Sequence, residues 1–293
     1  METIPAKSIV TRTKSPMWFD IDYTMNIYRG CCHGCIYCDS RSECYHIEDF
    51  DTVRAKENAI EIISQDLSKK RSRGVIATGS MSDPYNPFEE NELLTRQALE
   101  LVDRYRFGIA IATKSTLVVR DIDLLLKIST HSPVIVKITI TSASDELSGK
   151  IEPHAPSSSQ RFEALGTLRS AGIYAGILMM PILPYVNDTK ENILGIVNEA
   201  HRVKSCFISP SFGVTLRSNQ RAHYYRKLDA LFPNLSQKYI SRFGGTYSCN
   251  SVDSKMLYNT FKTECQRLGM IYKMGDIIRE YKRPYEVIQR PLF

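Results

Sequence analysis

Between residues 20 and 213, short β-branched runs alternate with longer segments whose apolar positions recur at helical spacing. Residues 23–28 read as a strand, and 52–71 as a helix with Val53, Ile60, Ile63 and Leu67 near one face. The rhythm continues through strand 74–78 and helix 89–105, strand 108–113 and helix 121–129, then strand 134–141 and helix 158–171. That last helix opens on a serine run, the chemistry of an N-cap. Strand 174–180 leads through Asn187-Asp188 into helix 189–203, and 206–209 is a sixth strand. Six β-then-α units predict a parallel sheet with crossover helices, either doubly wound or curled into a partial barrel. After Val214 the rhythm stops: 217–231 and 254–268 read as helices, with a Gly244-Gly245 turn between them. The expected division is an α/β domain over residues 1–213 and a mainly helical extension over 214–293.

In such folds, function gathers at the C-terminal ends of the strands. The polar and conformationally special residues of this chain fall just past those ends. A cysteine-rich run, 29–39, follows the first strand, and Gly79-Ser80-Met81-Ser82-Asp83-Pro84 the second. Thr113-Lys114-Ser115 follows the third, Thr139-Ile140-Thr141-Ser142 closes the fourth, and 181–184 follows the fifth. All five are expected to converge on one mouth.

Composition narrows the class. A chain of 293 residues, 43% of them hydrophobic, buries a large core in one or two domains. With 24% charged residues and ordinary glycine and proline content, it is not a disordered chain. No basic stretch precedes an apolar core at the N-terminus, so no secretory signal is expected. The longest apolar run, 173–183, contains Gly176 and Pro181 and is too short to span a bilayer, so no membrane partner is expected. Eight cysteines, four of them within residues 31–38 and the other four scattered, are not the framework of a small secreted domain. A cytoplasmic protein with reduced thiols is the reading. The net charge of +6 is uneven: residues 214–293 hold 14 Lys/Arg against 6 Asp/Glu, an excess of +8, and 8 of the 16 tyrosines.

Cys31, Cys35 and Cys38 form a C-x3-C-x2-C pattern, three thiolates within eight residues. A structural zinc site wants four ligands. A [4Fe–4S] cube can be held by three thiolates, which leaves one iron open to a further ligand. Zinc with His33 or Cys32 as fourth ligand is the competing reading. Cys44, Cys206, Cys249 and Cys265 form no close pair and read as ordinary buried thiols.

The pattern, with the aromatic Tyr37 before its last cysteine, resembles the signature of the radical S-adenosylmethionine superfamily. The resemblance implies a partial (β/α)6 barrel and two cofactors, a [4Fe–4S] cluster on the three cysteines and S-adenosylmethionine. It also implies reductive cleavage to a 5′-deoxyadenosyl radical that abstracts hydrogen, and an electron donor such as flavodoxin or ferredoxin. Ser80-Met81-Ser82-Asp83, Lys114, Thr139-Ile140-Thr141-Ser142 and Ile151-Glu152-Pro153 follow the order of the spore photoproduct lyase family, a DNA-repair lyase group. This likeness covers roughly residues 23–213, and the closing Gln289-Arg290-Pro291-Leu292-Phe293 resembles the ending of many short relatives. By that resemblance Ser82 holds the S-adenosylmethionine amino group and Lys114 its carboxylate, while Thr139 or Ser142 completes the contacts. Lys114 has an independent case, since a cation at the mouth suits a carboxylate. No catalytic residue is assigned.

One departure matters. The lyase carries a hydrogen-donating cysteine two residues before the serine, and here that position is Ser80. An O–H bond is far stronger than an S–H bond, so the lyase's own route is in question; Tyr85 or a cysteine from elsewhere is the substitute to look for. The basic extension, interleaved with Tyr224, Tyr225, Tyr239, Tyr247 and Tyr258, offers either phosphate and stacking contacts for nucleic acid or a solvated helical cap. Three functions stay open: a radical enzyme on nucleic acid, a radical enzyme on a peptide or small molecule, and a non-catalytic iron–sulfur or zinc protein.

Overall fold

The computed structural model describes residues 1–13 and 18–286. The closing 289–293 therefore lies outside the described residues. Six parallel strands form the centre: β1 (Tyr23–Met25), β2 (Val75–Thr78), β3 (Gly108–Thr113), β4 (Val134–Thr139), β5 (Ala175–Met179) and β6 (Ile208–Pro210). They pair in sequence order, with Ile76 opposite Ile109, Ile109 opposite Val134, and Val136 opposite Ala175. An antiparallel edge strand, Val10–Arg12, pairs outside β1. Sequential order carries no reversal point, so right-handed crossovers stack the connecting helices on one face and the sheet curls around the other. The doubly wound alternative is thereby removed, and the partial barrel stands.

The two faces bury different side chains. Outward, Ile76, Ile109, Ile111, Val136 and Ile138 pack on Leu99 and Val102, Leu125 and Ile128, and Leu165 and Leu168. These come from the helices Leu94–Arg104, Ile122–Ser129 and Ser158–Ser170. Inward, Ala77, Ala110, Ala112, Ile135 and Leu178 meet Phe19, Phe207 and Tyr281. Strands buried on both faces read as unbroken apolar runs, which is why periodicity found them. The lumen is plugged at its N-terminal end by helix Met274–Glu286, whose Tyr281 hydroxyl donates to the Phe19 carbonyl at 2.6 Å. Small inward residues leave room above this plug.

Boundaries differ from the expectation at three places, each for a local reason. The run 23–28 divides: Tyr28–Arg29 leaves the barrel to pair antiparallel with Arg54–Lys56 in a separate small sheet. The helix expected over 52–71 consequently begins only at Ala59, after Asn58 turns the chain with φ 51°. The helix expected over 89–105 breaks at Leu93, φ 55°, because the buried Glu89 carboxylate accepts from the Thr95 N–H at 3.0 Å and caps a new start. Beyond the barrel, a ribbon of Gly213–Thr215 with Ser248–Asn250 and a helix Leu235–Phe243 join the two expected helices.

Those C-terminal elements lie on the cysteine loop. Val214, Leu216, Tyr224, Leu228, Tyr239 and Cys249 pack with Cys35, Ile36, Tyr37, Ile151 and Leu183. Gln220 Nε2 donates to the Tyr37 carbonyl at 3.0 Å, and Tyr239 donates to the Pro184 carbonyl at 2.8 Å. Helix Ser254–Arg267 instead adds Leu257, Phe261 and Cys265 to the outer core.

Candidate functional site

At the C-terminal ends of the strands lies a cavity of about 250 Å³. Cys31, Cys35 and Cys38 form one side, and Ser80, Ser82 and Asp83 a second. Lys114, Thr139, Leu178 and Trp18 also border it. The cysteine loop owes its path to backbone ties: Cys31 N–H donates to the Phe50 carbonyl at 2.8 Å, and Ile36 N–H to the Ile151 carbonyl at 3.0 Å. Gly30 has φ +81°, and a Cβ there would lie 2.2 Å from the Thr52 carbonyl oxygen, so no other residue fits the approach. Burial pushes the Cys31 and Cys35 thiols up to about 12 each. Both are protonated at neutral pH until a metal displaces the proton. All eight cysteines are free thiols.

Asp83 fastens the loop to the strand ends. Its Oδ1 accepts from Thr113 Oγ1 at 2.6 Å and from the Tyr85 N–H at 2.9 Å. Its Oδ2 accepts from the Lys114 N–H at 2.8 Å and lies 3.0 Å from His33 Nε2. Burial works to raise the Asp83 pKa, but the bonds from His33, Thr113 and Lys114 outweigh it and hold the carboxyl down at about 2. A depressed carboxylate stabilises the fold above its unfolded pKa, near 3.8, and that stability is lost as pH falls through the folded value. Asp83→Asn is therefore expected to lose about 2 kcal/mol at pH 7 and to differ progressively less from the parent between pH 4 and 2. Urea unfolding across that range reads the difference.

Two side chains at the cavity offer opposite hydrogen-bonding character. Ser82 Oγ donates to the Gly30 carbonyl at 2.5 Å, so its proton is committed and its lone pairs remain for a cationic donor. Lys114 supplies the opposite charge. Burial opposes its ionisation, yet the Cys35 sulfur and the Glu152 carboxylate hold its pKa above the ordinary lysine value. Its Nζ stands 5.6 Å from the Tyr37 ring centre. Behind it, the buried Glu152 accepts from the Tyr37 hydroxyl, from Thr141 Oγ1 at 3.2 Å and from Arg161 Nη2 at 2.5 Å. Arg161 Nη1 also donates to the Thr139 carbonyl at 2.8 Å.

Six of the eight residues singled out from sequence thus border one cavity: the three cysteines, Ser82, Lys114 and Thr139. Tyr37 and Ser142 do not. The Tyr37 hydroxyl is spent on Glu152, and Ser142 Oγ donates to the Ser144 carbonyl at 3.1 Å, as part of the turn into helix Asp145–Ile151. Neither fourth-ligand candidate for zinc is free: His33 has Nε2 3.0 Å from Asp83 Oδ2 and Nδ1 3.4 Å from the His154 carbonyl, and Cys32 packs against the outer core. Cys44 is exposed rather than buried, because it sits in a short surface turn, Glu43–Tyr45. Tyr85, the phenol near Ser80, is fully buried and off the cavity wall. The Glu152–Arg161 pair was missed as a unit; its only sequence signal was the acidic residue in Ile151-Glu152-Pro153.

Comparison with known proteins fits this geometry. The family model for the radical SAM superfamily matches residues 25–197. The chain is 37% identical over 195 residues to an uncharacterized protein of Methanocaldococcus jannaschii, covering 66% of this chain and 71% of that one. It is 26% identical over 240 residues to an uncharacterized protein of Mycobacterium tuberculosis, covering 80% and 70%. Among solved structures, a spore photoproduct lyase mutant with bound AdoMet and dinucleoside spore photoproduct superimposes with TM-score 0.63 at 14% identity, covering 88% of this chain and 76% of that one. The methyltransferase TsrM from Kitasatospora setae, with cobalamin and a [4Fe–4S] cluster bound, gives TM-score 0.54 at 11% identity, covering 84% and 50%. At these identities the structural likeness speaks for the fold.

Proposed function

This chain belongs to the radical SAM superfamily, and from that premise we propose that it is a radical S-adenosylmethionine enzyme acting on a nucleic-acid substrate. The family's cofactors are a [4Fe–4S] cluster and S-adenosylmethionine. The observation that carries the reading is the meeting of three thiols, Ser82, Lys114 and Thr139 at one cavity. Cys31, Cys35 and Cys38 would hold the cluster. Three thiols within eight residues are a donor set that a [4Fe–4S] cube takes, with one iron left open. When bound and reduced by a donor such as flavodoxin or ferredoxin, the cluster would supply the electron for cleavage of S-adenosylmethionine and hence a hydrogen-abstracting radical.

The protein's part is placement and exclusion. Ser82 Oγ accepts from the ammonium of the methionyl group, and the Lys114 ammonium binds its carboxylate. Thr139 completes the contacts, with its backbone held by Arg161. The packed C-terminal helices cover the Cys35–Tyr37 side of the loop. Support for nucleic acid comes from the extension: Tyr247 and Tyr258 are exposed, and the Arg217 guanidinium stacks over Tyr247 at 4.9 Å. Among the described residues no helix is long and apolar enough to cross a membrane. A reduced, cytoplasmic setting suits the free thiols.

Ser80 stands at the cavity where the lyase family has its donor cysteine, and beyond the three loop cysteines the described wall carries no thiol. The product radical is therefore not quenched by a cavity thiol of this chain, and the reaction ends differently from the lyase's. Anaerobic protein with dithionite, S-adenosylmethionine and an irradiated oligonucleotide whose thymidines are deuterated at every carbon-bound position tests the proposal. Deuterium in 5′-deoxyadenosine is expected. Zinc without iron and no 5′-deoxyadenosine would overturn the enzyme reading. Undeuterated 5′-deoxyadenosine, together with no nucleic-acid binding at low salt, would overturn the substrate class alone.

A further inference from the structure

The middle of β4 carries a charge that the site described so far does not use. Lys137 follows Val134, Ile135 and Val136, points to the lumen side of the sheet, and is fully buried. Its Nζ has no hydrogen-bond partner among the described residues. It lies between two ring faces, 4.7 Å from the centre of Trp18 and 4.5 Å from that of Phe19. Its register partners on the flanking strands are Ala112 and Gly176, the two smallest residues available. A structural lumen position would take Leu or Met, as apolar packing needs no ammonium. The amine is also close to the cavity: Thr139, two residues along the same strand face, borders it, as do Ala112 and Trp18.

We propose that Lys137 is the receptor for an oxyanion of the substrate, a carboxylate or phosphate group that enters the floor of the cavity. The alternative chemistry for a buried amine, imine formation with a carbonyl, needs a neighbouring acid–base group to remove water from the carbinolamine. None faces Lys137: burial alone acts on it, lowering its pKa to about 7, and no charged group of the flanking strands or of helix Met274–Glu286 adds to that. An arriving oxyanion restores the missing partner, and the neutral amine takes up a proton as it binds. The aromatic faces hold the resulting ammonium without competing for its three N–H donors. This inference concerns the cavity floor and does not depend on nucleic acid being the substrate.

Calorimetry on the anaerobic, cluster-loaded full chain, unreduced and saturated with S-adenosylmethionine so that Lys114 is occupied, tests it. Acetate and inorganic phosphate are titrated in two buffers of different ionisation enthalpy. At pH 8, acetate binding is expected to take up nearly one proton per anion, and at pH 6 close to none. Preference for phosphate over acetate would assign the group as a phosphate, and the reverse as a carboxylate. Lys137→Met is expected to weaken anion binding at pH 6 at least tenfold while raising the Tm, since it removes a desolvated charge. The wild-type arm stands by itself where that variant fails to fold. Absence of proton uptake at pH 8, or unchanged anion affinity in folded Lys137→Met, would overturn the proposal. Neither result would alter 5′-deoxyadenosine formation, which tests the proposed function separately.

Discussion

Cys35→Ala is expected to reduce 5′-deoxyadenosine formation by at least about 10⁴-fold, to the background of free dithionite, which is equivalent to about 5.5 kcal/mol in the barrier. Cys35 is the most buried of the three loop thiols. Its loss leaves two donors, too few to hold the cube against exchange with free thiols. Loss of the broad absorbance near 400 nm and of bound iron should accompany the loss of turnover. Cys32→Ala is the demanding control, because it removes an adjacent thiol. Cys32 is directed to the outer core, so iron content should persist with only a modest packing cost. Cys265→Ala, a core cavity far from the loop, should lower stability and leave iron untouched. Equal iron loss in Cys32→Ala and Cys35→Ala would contradict the ligand assignment.

The second large effect is on stability. Glu152 and Arg161 are both almost wholly withdrawn from solvent and bonded at 2.5 Å. Removing one charge strands the other, which costs about 3–5 kcal/mol in comparable buried pairs. Glu152→Gln and Arg161→Met should each lower the unfolding free energy by that amount, read from the earlier urea midpoint at unchanged slope. Replacing both, as Glu152→Leu with Arg161→Met, should recover most of it, because well-packed apolar substitutes escape the desolvation penalty. The pair also reaches the site: Glu152 faces Lys114 and Tyr37, and Arg161 holds the Thr139 carbonyl. The doubly substituted protein is therefore expected to be stable yet to show a raised KM for S-adenosylmethionine. Recovery of stability with an unchanged KM would confine the pair to a structural role.

The barrel was legible because parallel strands covered on both faces leave apolar runs that alternate visibly with helical spacing. Strand order was not, since nothing in a run such as Val134–Thr139 says whether its neighbour lies to one side or the other. Element ends were blurred where single residues in the left-handed region, Asn58 and Leu93, restart a helix inside a continuous pattern. The three thiols were legible because their spacing is covalent. Glu152 and Arg161 were not legible as a unit, because their partners Tyr37, Thr139 and Thr141 come from other elements. Lys137 is a different case: a lysine inside an otherwise apolar strand is visible in the sequence, and only the register that sets it between Ala112 and Gly176 gives it meaning. Tyr37 was picked out by its position beside Cys38, and only the fold shows that its hydroxyl is bonded to Glu152 behind the cavity.

The packing of helix Ser218–Leu231 over the cysteine loop sets a clock on assembly. Cys38 is made 180 residues before Ser218, which at 5–20 residues per second is a delay of roughly 10–40 s. Through that interval the thiols stand uncovered on a nascent chain, open both to iron delivery and to oxidation. Once translation passes the last covering residues, the Cys35–Tyr37 side of the loop is covered, and metal can enter only from the cavity side, where Cys31 and Cys38 stay partly exposed. Holoprotein yield should then depend on how fast the message is read, and slowing the ribosome between the loop and its roof should raise the iron content of the purified protein.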